Sequence, residues 1–130
     1  LDANIKARKE NLKVWLESLN PDLYYTKFTT KGNSSFALPL ILSEGNNAID
    51  QVCKILSEES VEYRLGTAGG GNQARQPYLK NYNYKIVGHL DVSNHIHDCG
   101  LYVGNHTDLT KVQIYNLCKR LNGVTSNAVK

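Results

Sequence analysis

The chain has 130 residues, 41% hydrophobic and 21% charged, with a net charge of +3. That mix suits one soluble domain able to bury a core without disulfides or metal, and it excludes a disordered chain. No apolar run approaches the ~20 residues that cross a bilayer, no basic-then-apolar leader opens the chain, and three surplus positive charges spread along it make no nucleic-acid surface.

Residues 3–19 form the first predicted helix. Ile5, Leu12, Trp15, Leu16 and Leu19 fall on one face, with Lys and Glu opposite. Asn20-Pro21 ends it, because proline cannot continue the ladder. Residues 23–29, rich in Tyr, Thr and Phe, read as a strand, and Lys31-Gly32-Asn33 as a turn. Residues 35–42 read as a second strand, apolar on both faces. Pro39 donates no ladder bond, so an edge or a bulge is expected there. Asn47 is placed to cap a second helix, with Asp50 near its positive end and Ile49, Val52, Cys53 and Leu56 on its buried face. Residues 61–66 read as a strand leading into the glycine-rich loop Gly66-Thr67-Ala68-Gly69-Gly70-Gly71-Asn72. After a tyrosine-rich stretch, Ser93 is expected to cap a short helix ending near Cys99-Gly100, followed by a strand over 101–105. Thr110-Lys111-Val112-Gln113 is a capping box for the last helix, which Asn122-Gly123 ends. Residues 124–130 are expected to be a loose tail. The order predicts an α/β (α+β) domain over residues 1–123, a small, mostly antiparallel sheet with helices packed on one face.

The chemistry-bearing residues are few. Cys53, Cys99 and Cys118 are odd in number, form no CxxC pair and sit at apolar helical positions. They read as buried free thiols of a reducing, cytoplasmic compartment. His95 and His97, two apart on a helix, point to different faces and cannot chelate one ion, so no metal site is assigned. Gly69-Gly70-Gly71-Asn72-Gln73-Ala74 formally fits a dinucleotide-binding turn, but Pro77 arrives where that fold needs a helix and the preceding strand is too polar. No Gly-Lys-Ser/Thr is present, so the loop is not a P-loop. Three successive glycines still allow close backbone approach to a phosphate, with Arg64 and Arg75 supplying charge.

Taken in order, several segments resemble the DegT family of PLP-dependent nucleotide-sugar aminotransferases and dehydratases, which have fold type I. Ile5-Lys6-Ala7-Arg8-Lys9-Glu10-Asn11 is similar to the helix joining the large, cofactor-binding domain to the small one. Ser35-Phe36-Ala37-Leu38-Pro39-Leu40 resembles the small domain's first core strand. Ile55-Leu56 through Val61-Glu62-Tyr63-Arg64 resembles its helix-then-strand ending in Arg. Gly71-Asn72-Gln73-Ala74-Arg75-Gln76-Pro77 resembles its G-N…Q-P loop. His97-Asp98-Cys99-Gly100-Leu101-Tyr102-Val103-Gly104-Asn105-His106 resembles the ending of some members, 3-dehydratase-like ones included. Leu65 departs from the proline many members carry after the arginine.

The resemblance implies a C-terminal small domain, opening with the inter-domain helix at 3–19. It would close over the active site of a larger polypeptide whose absent large domain carries PLP and the reactive Lys or His. This chain alone would then hold no cofactor, no catalytic residue and no PLP chemistry. The resemblance further implies that Arg64, Gly70, Gly71, Asn72, Arg75, Asn105 and His106 approach a nucleotide-linked sugar. The lack of any methionine and the helical opening at Leu1 fit a piece of such a polypeptide. The face that met the large domain would then expose apolar groups, around Trp15 or at Tyr78, Tyr82 and Tyr84, and a homodimer would hide them. Two other readings are a stand-alone module that grips a phosphorylated ligand with the glycine loop, and an unrelated interaction domain.

Overall fold

The computed structural model describes residues 1–43, 48–66 and 71–125. Four helices, α1 (Asp2–Ser18), α2 (Ile49–Glu58), α3 (Asp91–Cys99) and α4 (Lys111–Leu121), accompany three strands, β1 (Ala37–Ile41), β2 (Tyr63–Leu65) and β3 (Gly100–Gly104). The sheet is antiparallel throughout, in the order β1-β3-β2.

Register decides which side chains reach the core. Leu38 pairs with Val103 and Leu40 with Leu101, so all four share one face, and β2 places Tyr63 beside Val103 on it. These side chains join Leu12 and Trp15 of α1, Val52 and Leu56 of α2, and Ile114, Cys118 and Leu121 of α4 in one buried cluster. The opposite face carries Pro39, Arg64 and Tyr102 and is half-buried or exposed. α3 buries no residue fully. It lies against the loop that follows β2.

Pro39 sits on the edge strand, as expected from its missing donor. The backbone N–H of Leu42 donates to Cys99, so alternation makes Pro39–Tyr102 a pair whose polar groups point away from each other. Outward, the Pro39 carbonyl accepts the Trp15 Nε1 hydrogen at 2.7 Å.

That same edge corrects the expected strand at 23–29. The segment pairs with β1 only through the bridge Tyr24–Leu42, flanked by bonds from Tyr25 N–H to Ile41 and from Ser43 N–H to Leu23. The next pair of bonds would need Pro39, which has no N–H and whose carbonyl is taken by Trp15. The strand therefore stops. Tyr24 turns into the core, where its hydroxyl donates to the Leu121 carbonyl at 2.7 Å.

Three smaller differences have local causes. α3 starts at Asp91, two residues before Ser93, with the Asp91 carboxylate in its first turn next to the helix's positive end. Val124 is buried and Thr125 bonds Gln51, so the first two residues of the expected tail are held. Trp15 is fully buried and belongs to no exposed patch, whereas Tyr78, Tyr82 and Tyr84 are exposed. The expected Asn47 cap lies outside the described residues.

Candidate functional site

The residues singled out by sequence separate into two groups at opposite ends of β3. β2 runs into Gly66 at the Gly100 end, while Asn105 and His106 follow the Gly104 end. Five residues lie between Gly100 and His106, and the six steps span roughly 20 Å of extended chain. Arg64 lies between, paired with Tyr102 at mid-strand, and its exposed side chain makes no hydrogen bond or ion pair among the described residues. Gly70 lies outside the described residues.

At the Gly100 end, α3 shapes the loop. A Cβ on Gly66 would stand 2.4 Å from the Ile96 carbonyl oxygen. A Cβ on Gly71 would stand 2.5 Å from the Gly66 carbonyl and 2.6 Å from His97 Nδ1. Both positions demand glycine because the backbone lies directly on the helix. Asn72 is buried and its polar groups are spent inside the protein. Its backbone N–H donates to His97 Nδ1 (3.2 Å), its Nδ2 donates to Asn94 Oδ1 (2.7 Å), and its Oδ1 accepts from Ala74 N–H (2.9 Å). Asn72 therefore orders the loop as the cap of a short 3-10 turn, Gln73–Arg75. The exposed Arg75 donates through Nη1 to Asp98 Oδ2 at 2.9 Å. That bond holds the Asp98 carboxyl below its ordinary range and the arginine above its own. One of the guanidinium's five N–H donors is used by this bond, leaving others for an anion.

At the other end, Asn105 is also buried and fully engaged. It donates to the Arg8 and Ser35 carbonyls at 3.0 and 2.7 Å and accepts from Asn11 Nδ2 at 3.0 Å. The same Asn11 amide reaches the His106 carbonyl, so the turn is tied to α1 while the His106 side chain stays exposed. His106 stands on the rim of a groove of about 570 Å³ between α4 and the segment Glu59–Glu62 that precedes β2, whose apolar floor includes Trp15, Leu38 and Ile114 and whose rim carries Glu59, Glu62 and Gln113.

Sequence reading did not find Asn11, Asn94 or the loop-holding role of His97. Asn11 carried a signal. It stands one helical turn before Trp15 on the apolar stripe, where a polar residue needs a buried partner. His95 and His97 separate as their spacing requires, His95 bonding the Leu42 carbonyl and His97 the Asn72 amide. No cluster of three metal-ligating side chains occurs among the described residues. All three cysteines are free thiols; Cys118 is buried, Cys53 and Cys99 only partly so. Burial pushes the Cys118 thiol up to about 12.

No family model matches the chain. It is 35% identical over 112 residues to the lipopolysaccharide biosynthesis protein RfbH of Salmonella typhimurium, covering 82% of this chain and 25% of the relative. It is 30% identical over 119 residues to GDP-4-keto-6-deoxy-D-mannose 3-dehydratase of Yersinia pseudotuberculosis, covering 90% and 30%. Its fold matches an E. coli GDP-4-keto-6-deoxy-D-mannose-3-dehydratase with bound hydrated PLP at a TM-score of 0.78, with 22% identity over 92% of this chain and 31% of that one. A mutant of GDP-4-keto-6-deoxymannose-3-dehydratase with bound GDP-perosamine matches at 0.77, with 24% identity over 93% and 32%. The chain thus spans between a quarter and a third of the proteins it matches.

Proposed function

We propose that this chain, which matches the small domain of DegT-family PLP-dependent nucleotide-sugar aminotransferases and dehydratases, serves as the C-terminal substrate-gripping domain over residues 1–123 of such an enzyme. It contacts the diphosphate or sugar of a nucleotide sugar while the cofactor-bearing domain does the chemistry. Arg64 and Arg75 make charge-assisted bonds to the anion. The backbone at Gly70 and Gly71 approaches the ligand closely, as residues without a Cβ allow. Asn72 and Asn105 hold the two loops in shape, and His106 offers a ring nitrogen at the far end.

One observation carries this reading. Between Glu62 and Asp91 the sequence holds four cations, Arg64, Arg75, Lys80 and Lys85, and no acid. The described ends of the loop among them, Gly66 and Gly71–Asn72, pack on α3 with arginines exposed on either side, which suits an anion more than any other ligand class.

The described residues do not fit PLP itself. A PLP site needs an anion cradle and a partner for the pyridine nitrogen in one cavity with the reactive lysine or histidine. The groove beside His106 is lined by no lysine or arginine. Lys6, Lys9 and Lys13 line a shallow surface of α1 alone, with no second element to supply the remaining groups. The cofactor belongs to the larger relatives, and no step is routed through it here.

Calorimetric titration with GDP-mannose tests the reading. Arg64→Ala and Arg75→Ala should each weaken binding about tenfold, the worth of one charge-assisted bond. Wild-type affinity in both variants would defeat it.

A further inference from the structure

α3 presents three acceptors to the loop, Asn94 Oδ1, His97 Nδ1 and Asp98 Oδ2, at spacings of three and four residues that put them on one helix face. They receive the Asn72 amide side chain, the Asn72 backbone N–H and the Arg75 guanidinium. Two of these acceptors keep their character at any ordinary pH. The third does not. A neutral imidazole accepts at one nitrogen only, and a protonated ring donates at both. The bond from Asn72 N–H therefore fixes the His97 tautomer, with its proton on Nε2.

The geometry points to His97 as the positioning residue of the loop. Its neutral ring holds Gly71 and Asn72 on α3, and protonation sets two donors face to face and releases them. Turning the ring over about χ2 would put a carbon, Cδ2, where Nδ1 stands, so it brings no second acceptor to the Asn72 N–H. Gly66, Gly71 and Asn72, packed on His97 from the loop side, bring no charge. The ionisable groups around it are Asp98, paired with Arg75 from the loop, His95 on the same helix, which bonds the Leu42 carbonyl, and the neighbouring Cys99 thiol. The loop's acid release is a property of this chain by itself. Its consequence for a ligand, a Gly71–Asn72 backbone no longer held on α3, rests on the anion-binding reading above.

Nitrogen NMR of the wild-type chain tests this without any ligand. Near pH 8 the His97 Nδ1 should show the shift of an unprotonated, hydrogen-bonded nitrogen. Across an acid titration the Asn72 amide proton should move upfield in step with the ring's gain of its second proton, while the Leu101 amide stays still. His97→Asn keeps an acceptor near the Nδ1 position and cannot titrate, so its Asn72 amide should hold a downfield shift across the range. His97→Leu should show the released shift throughout. An Nδ1-protonated ring, or an Asn72 amide that ignores the ring's titration, would overturn the assignment. GDP-mannose titration near pH 8 then separates the two claims. If the latch operates but His97→Leu binds GDP-mannose as wild type does, the fault lies with the ligand reading and not with the latch.

Discussion

Ser35 shows how one residue can be held in an unfavourable state by its neighbours. Its φ of 54° lies in the left-handed region, which costs a residue with a Cβ about 1 kcal/mol or more. Its hydroxyl is buried without a partner among the described residues. The conformation persists because Asn33 Oδ1 accepts the Ser35 N–H at 2.6 Å and Asn105 Nδ2 donates to its carbonyl. Ser35→Gly keeps both bonds and removes both penalties, so it should stabilise the protein by about 1 kcal/mol in urea unfolding. Asn72 and Asn105 teach the complementary lesson. Sequence alone marks them as polar loop residues near a ligand. The structure shows every side-chain polar atom of both already bonded within the protein, and buried amides of that kind hold loops in shape.

At the scale of elements, local signals were legible and pairing signals were not. The Thr110–Gln113 capping box reads directly from four residues and forms with both reciprocal bonds. Thr110→Ala should cost about 1 kcal/mol of stability, measured by thermal unfolding, with helix content at 222 nm otherwise kept. The helices at 3–19 and 111–121 were legible for the same reason, since a 3.6-residue pattern and a stop signal lie within one segment. The strand expected at 23–29 was not, because its fate depends on Pro39 and Trp15. Tyr, Thr and Phe suit a strand, but a strand needs a partner edge with free donors and acceptors. The two-ended layout of the candidate site was hidden likewise. Antiparallel β2 and β3 send the glycine loop and the His106 turn in opposite directions, and only the register shows it.

For the whole molecule, burial governs both stability and the open surface. Cys118 and Tyr24 sit in the core, and burial pushes the Cys118 thiol up to about 12 and the Tyr24 phenol higher still. Both groups are neutral when protonated, and folding raises both titration points. The unfolded chain therefore loses these protons first, and stability must fall as pH rises above about 9. For the thiol the slope should reach about 1.4 kcal/mol per pH unit until about pH 12. Cys118→Ala should flatten part of that slope in urea unfolding at several alkaline pH values. An unchanged slope would show that the thiol does not contribute.

The surface has its own asymmetry. From Lys80 to His89 every residue is exposed, among them Tyr82 at 66% and Val87 at 84%. Together with Tyr78 these residues form an exposed apolar stretch of the surface. The basic, acid-free stretch from Arg64 to Lys85 overlaps it.

The central claim is that the arginine-flanked loop grips a nucleotide sugar, and it is tested most directly by mapping amide shifts of the chain as GDP-mannose is added. The account predicts that the largest shifts fall on Arg64, on Gly71 through Arg75 and on His106, while α2 stays unchanged. No shift at any ligand concentration, or shifts gathered at the Glu59–Gln113 groove with none on Arg64 or on Gly71 through Arg75, would contradict it.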